Sequence, residues 1–283
     1  MTTFPVLSCP ILDRKTVVSS TPYERDGWSI VQCRETGFVF LANPPDYSQL
    51  ESEFAWEKTY QQECVRRETV EPIVSKVSSF AKRLKFTINP RRNKIARLAN
   101  QFLTHQPASE VTTVLDIGCG DGNLLVSVAR ESARQGRKIR PLGIEVSYQL
   151  AAMSREQLQP YGGDIIMANA VDGAATLPAQ SVGLVLMSSF LEHECQPLRL
   201  LRSLRETLAP QGAIILKVPN FACWNRKMRR ERWCGFRFPD HVNYFTPTTL
   251  RKLAEEAGFA VARQRFTDRS PVSDNMYATL TLK

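Results

Sequence analysis

The stretch Val111-Thr-Thr-Val-Leu-Asp116-Ile-Gly118-Cys119-Gly120-Asp121-Gly122-Asn123-Leu-Leu-Val-Ser-Val-Ala129 decides the fold of this 283-residue chain. An apolar run enters a glycine turn and a second apolar run leaves it, which predicts strand, turn and helix. Glycine lets the backbone turn sharply there and lets a ligand approach closely, since no Cβ intervenes. A dinucleotide fingerprint reads G-x-G-x-x-G. Here the third glycine comes one residue early, and an acid, Asp116, stands two before the first. A NAD-dependent oxidoreductase is therefore the least favoured reading.

Outward from this turn, strands alternate with helices. Candidate strands are 111–117, 140–146, 164–169, 182–188, 213–218, 260–266 and 276–282, with helices at 122–135, 148–158, 196–208 and 247–257. Such alternation predicts an α/β, Rossmann-like, seven-stranded and mostly parallel sheet with helices on both faces. Ligands then bind at the C-terminal ends of the strands. Glu145 ends the second strand, 23 residues after Gly122, where a carboxylate can accept hydrogen bonds from both ribose hydroxyls of a nucleoside ligand.

Asp116-x-Gly118-x-Gly120-x-Gly122 resembles motif I of the class I S-adenosylmethionine (SAM) dependent methyltransferases. The resemblance covers about residues 111–283 and implies SAM as cofactor. It places Asp116, Gly118, Cys119, Gly120, Gly122, Glu145 and Val146 around that cofactor, with Ser188 at the end of the fourth strand. Asn169-Ala170 stand where the family has an Asp and a small apolar residue near the adenine; Asp172 is the competitor for that role. Leu177-Pro through Glu192-His193 is similar to the family's "LP…SFDLV…LEH", departing at Gly183, where Asp is usual. Glu192-His193 would stand beside the sulfonium end of the cofactor. Some related quinone-pathway enzymes hold a divalent metal here through a further upstream carboxylate. That position falls near Ser189, so no metal is expected. Ala209-Pro-Gln211-Gly212 resembles the family's "L-x-P-G-G-x-L" turn. Phe238-Pro-Asp240-His241 through Phe245, then Gly258-Phe259, resembles a subgroup with a "P-x-H-x-x-x-F…G-F" tail.

Methyl transfer needs an aligned nucleophile and, for many acceptors, a base. Imidazole, with a pKa near neutrality, suits proton removal. The chain has only three histidines, His105, His193 and His241. His241 is the first candidate for base or substrate orientation, with Asp240 to orient it and His193 close to the chemistry.

Three segments are expected: a β-rich module over 1–64, a basic helical connector over 65–106, and the SAM-binding domain over 107–283. Cys9-Pro-Ile-Leu12 and Cys33-Arg-Glu-Thr36 look like worn remnants of the two C-x-x-C knuckles with which related methyltransferases often begin. Structural zinc needs four ligands, and Leu12 and Thr36 stand where two of them would be, so a metal-free ribbon-like module is expected. In the connector, Val70, Ile73, Val74, Val77, Ala81 and Leu84 recur at helical spacing.

The net charge is +9, concentrated in residues 65–105 (+8) and 217–237 (+6), whereas 1–64 carry −4. Lys82, Arg83 and Lys85, then Arg226, Lys227, Arg229 and Arg230, point to an anionic small-molecule, glycan-linked or lipid-linked acceptor, or to contact with an acidic membrane surface. A nucleic-acid methyltransferase is an alternative, but no N-P-P-Y motif follows the fourth strand. A non-catalytic SAM-fold binding protein is a third reading. Seven scattered cysteines argue for a reducing compartment. With no signal-peptide pattern and no apolar run of about 20 residues, a cytoplasmic location is expected.

Overall fold

The computed structural model of the protein describes residues 5–45, 49, 93–107 and 110–283. The expected helix over 70–84, Lys82, Arg83 and Lys85 lie outside the described residues.

At the centre is β5 (Thr112–Ile117), paired in parallel with β6 (Ile139–Glu145) and with β8 (Val182–Ser188). β7 (Asp164–Met167) extends the sheet beyond β6, and β9 (Leu208–Pro219) lies beyond β8. β12 (Asn275–Leu282) runs antiparallel to β9 and to the edge strand β11 (Phe259–Arg263). The order β11-β12-β9-β8-β5-β6-β7 makes a seven-stranded sheet, the α/β fold expected from the alternation.

Neighbouring residues in its central strands serve opposite faces, as strand geometry requires. Val114, Leu184, Leu186 and Ile215 pack under α1 (Lys94–Thr104), α2 (Asn123–Arg134) and α3 (Tyr148–Leu158). Leu115, Ile117, Val185 and Leu216 pack with α4 (Ala170–Ala175), α5 (Pro197–Thr207) and α7 (Pro247–Glu256). Burial on both faces explains why these strands read as unbroken apolar runs. Gly183 has a packing reason. A Cβ there would sit 2.5 Å from the Thr112 methyl on the neighbouring strand, so the family's usual Asp would require Thr112 to shift.

The N-terminal residues form a second, antiparallel sheet: β1 (Val6–Cys9), β2 (Arg14–Arg25), β3 (Trp28–Cys33) and β4 (Val39–Leu41). Asp26-Gly27, both at positive φ (53° and 82°), close the β2–β3 hairpin, the turn chemistry such a hairpin favours. The last strand of this sheet comes from far along the chain. β10 (Asn243–Tyr244) pairs with β4 through Asn243–Phe40 and Tyr244–Val39. Ile30, Val39 and Leu41 share a core with Phe221, Trp233, Phe236 and Tyr244. The long strand β2 and the helices α4 and α6 (Trp224–Arg229) are absent from the sequence expectations; the two helices have six residues each, too short to show a period.

At the knuckle positions, the Cys9 sulfur lies 3.8 Å from the Thr36 hydroxyl, and the Cys33 thiol donates to Thr16 at 3.4 Å. Burial pushes the Cys9 thiol up to about 11.

Candidate active site

The glycine loop needs glycine at each of its three positions. Gly118, Gly120 and Gly122 have φ of 65°, 57° and 82°, the left-handed region in which a Cβ is strained. Their surroundings differ. A Cβ on Gly118 would meet the Phe190 ring at 2.4 Å, and one on Gly122 would meet the Ser154 hydroxyl at 2.5 Å. One on Gly120 would meet nothing within 4 Å. The loop is thus packed at its ends and open in the middle. Gly118 and Cys119 donate their N–H groups to Ile144 at 2.9 and 3.2 Å, tying the loop to β6.

Glu145, at the end of β6, is buried and held by two backbone donors. One carboxylate oxygen accepts from Gly120 N and the other from Ser147 N, both at 2.9 Å. A carboxylate oxygen has two lone pairs and can accept from more than one donor. Asp116 is buried with Oδ1 lacking a hydrogen-bond partner among the described residues. Burial, and then the Glu145 charge, push its carboxyl well above the ordinary range. The open cradle, the fixed carboxylate and the orphaned buried oxygen fit a nucleoside-bearing cofactor. Val146 and Met167 leave apolar surface exposed at the ends of β6 and β7, where a flat base can lie.

Some expected contacts take a different form. The Cys119 side chain is buried, 3.7 Å from the Ser154 hydroxyl, so its thiol packs beneath the loop. Asn169 caps α4: its Oδ1 accepts from Asp172 N at 2.9 Å and its Nδ2 donates to the Asp172 carboxylate at 2.8 Å. The two residues weighed against one another for the adenine position are therefore partners. Ala170 is buried in the first turn of α4, and Ser188 is half-buried at the end of β8.

After β8 the chain turns at Ser189, with φ 58°. Phe190 lies over Gly118, and Glu192-His193 follow. The Glu192 carbonyl accepts from Val242 N and Asn243 N at 2.9 and 3.0 Å. The Asn243 amide donates to Leu191 O and Glu194 O at 3.0 and 2.6 Å. These bonds clamp the tail containing Asp240 and His241 onto the end of β8.

The clamp corrects one expectation: Asp240 orients His193, not His241. His193 Nδ1 lies 2.9 Å from Asp240 Oδ1 and 2.8 Å from the Asp240 carbonyl. Both partners only accept, so Nδ1 carries the hydrogen and Nε2 is the free nitrogen. Arg237 braces the other Asp240 oxygen at 2.7 Å. His241 Nδ1 instead donates to Gly235 O at 2.8 Å, and the two imidazoles meet edge to face at 4.7 Å. Burial opposes charge on His193, but the Asp240 and Glu192 carboxylates outweigh it and raise its pKa. Burial and then the His193 charge hold His241 well below its ordinary value. Burial pushes the Glu192 carboxyl up. Glu192, His193 and His241 each bring one ligand atom within 4.8 Å of the others, a donor set that could hold a divalent cation. The third donor, His241, is one that the local comparison at Ser189 could not reveal.

The second basic segment is divided in use. Arg226 stacks on Phe221 at 4.3 Å and donates to Phe221 O and the Tyr23 hydroxyl, so it fastens α6 to the N-terminal sheet. Lys227 and Arg230 are exposed beside Tyr23 and Glu231. Phe190, Arg237 and Asn243 were missed in the sequence. Their nearness to the Leu-Glu-His and Pro-x-His motifs was the only signal.

A family model for a methyltransferase domain matches residues 88–264. No curated protein matches the chain. Among solved structures, the chain is similar to the CcbJ methyltransferase from Streptomyces caelestis, with 18% identity over 66% of this chain and 95% of that one and a TM-score of 0.51. It is also similar to a chain in the complex between the Haloferax volcanii Trm112 methyltransferase activator and its methyltransferase. There the identity is 17%, over 65% of this chain and 87% of that one, with a TM-score of 0.50. Likenesses at such identity concern the fold.

Proposed function

The chain belongs to the methyltransferase-domain family and is a class I SAM-dependent methyltransferase, and from this premise we propose that its acceptor is anionic, as a small molecule or in glycan- or lipid-linked form, and that His193 takes the acceptor's proton. Bound SAM supplies an electrophilic methyl group. The protein contributes a cradle at Gly118–Gly122, ribose acceptors at Glu145, and an apolar bed at Val146, Met167 and Ala170 for the adenine. Asp116, in β5, is a buried carboxyl that burial and the Glu145 charge push well above the ordinary range.

The observation that carries the reading is the Asp240–His193 contact of 2.9 Å on the loop leaving β8. A base must stabilise the proton that it takes. Asp240 supports an imidazolium at His193, whereas burial and His193 itself oppose one at His241. His193 is accordingly the base, Asp240 its positioning residue, and His241 a neutral wall that orients the acceptor. The anionic class rests on the cluster of cations between β9 and His241, where guanidinium groups can grip a phosphate or carboxylate.

The test is product identification with methyl-labelled SAM and fractionated extracts, both aqueous and lipid. A labelled anionic product is expected, and a neutral one overturns the acceptor class. His193→Ala should lower kcat about 100- to 10,000-fold, the usual range for loss of a general base, with SAM affinity retained. Full activity in that variant overturns the assignment of the base.

A further inference from the structure

Two adjoining segments leave large apolar side chains in solvent between cations. Trp224 is 56% exposed, Met228 is 83% exposed and Val272 is 69% exposed. Trp224 and Met228 lie four residues apart on α6, hence on one side of that helix. The loop carrying Val272 abuts the start of α6: Trp224 N donates to Pro271 O at 2.7 Å. The junction is fixed from beneath by Asp274, whose carboxylate accepts from the Asn225 amide at 2.9 and 3.0 Å and from the Trp233 indole at 2.8 Å. The apolar side chains therefore stand on a braced platform.

Lys227 and Arg230, on or just after α6, and Arg269, two residues before Pro271 in the chain, are exposed in the same two segments. None of the three forms an ion pair with another described residue. A solvated charged face would not need an indole and a thioether among its cations, and a soluble anion would not use them. A surface that is anionic outside and apolar beneath uses both. Cations near such a surface are attracted by its potential, and apolar side chains gain by entering the acyl boundary.

We propose that this face docks the enzyme on a lipid bilayer with anionic headgroups, Trp224, Met228 and Val272 entering the interface and Lys227, Arg230 and Arg269 lying at headgroup level. The docking is reversible, since the inserted area is small. It shares Lys227 and Arg230 with the basic segment on which the anionic acceptor class rests, but its test is separate: vesicle binding can succeed where transfer to every lipid-linked acceptor fails, and the reverse.

The test is co-sedimentation of the full chain with phosphatidylcholine vesicles, with and without about one-third phosphatidylglycerol. Binding is expected only to the anionic vesicles, falling as salt is raised. The Trp224 indole emission should shift to shorter wavelength on binding, a shift that Trp224→Phe removes. Lys227→Glu with Arg230→Glu, and separately Met228→Asp, should each weaken vesicle binding about tenfold or more, with SAM affinity unchanged as the control for folding. Absence of binding to anionic vesicles overturns the proposal. So does equal binding to neutral vesicles, or binding to RNA in their place. Undiminished binding in both variants, with their SAM affinity intact, overturns it as well.

Discussion

At the scale of the residue, the cofactor loop depends on one open position. Gly120 has φ 57° and no atom within 4 Å of a would-be Cβ, so a side chain there would stand in the space that the loop leaves for a ligand. Gly120→Val should abolish SAM binding by calorimetry while the protein remains folded; unchanged affinity would remove the basis for the site. Glu145→Ala should weaken SAM binding by about 1–3 kcal/mol, the scale of a lost charged hydrogen-bond partner. The Asp240–His193 pair makes a prediction about pH. Asp240 helps hold the His193 pKa above its ordinary value, so the acid limb of kcat should lie above about 6.5. Asp240→Asn should move that limb to lower pH and lower the plateau. A profile unmoved by the substitution would dissociate Asp240 from the base.

At the scale of the element, β10 does more than its two residues suggest. It joins the N-terminal sheet through β4, while Val242 N, Asn243 N and the Asn243 amide bind the Glu192 loop. Asn243→Ala would strand two buried carbonyls. It should cost about 1–3 kcal/mol in denaturant unfolding and lower kcat with little change in SAM affinity, because the tail would loosen over the histidines. Retained kcat in a destabilised variant would make β10 structural only.

At the scale of the molecule, two predictions concern what the fold holds together. Leu12 and Thr36 stand where two zinc ligands would be, and Cys9 and Cys33 face the Thr36 and Thr16 hydroxyls. Purified protein should therefore carry no zinc at the N-terminal module, and chelation should leave methyl transfer intact. Loss of activity on chelation, restored by one equivalent of metal, would turn Glu192, His193 and His241 from proton-handling groups into ligands. His241 contributes to the acid side of stability. Its folded pKa lies below the unfolded value of about 6.5, so between the two the unfolded chain binds the proton that the folded one refuses. Its contribution is complete above about 6.5 and is lost as pH falls toward the folded value. His241→Asn should flatten the fall of Tm over that window; an equal fall in both proteins would place the acid sensitivity elsewhere.

The sequence by itself determined β5, the glycine turn and α2, because each is a contiguous pattern whose physics is local: apolar residues, a loop able to reach positive φ, apolar residues again. It also determined the order of the later strands, since runs buried on both faces are legible one at a time. Only the tertiary structure decided which histidine Asp240 serves. Asp240 and His241 are neighbours in the chain, yet the Asp240–His193 bond spans 47 positions and exists because Asn243 and Val242 clamp one loop on another. The same cause hid the recruitment of Asn243–Tyr244 into the N-terminal sheet and the shared core of Ile30, Leu41, Trp233 and Phe236. Chain path, not spacing, brings such residues within a few ångströms of one another, and chain path is settled by the packing of the whole.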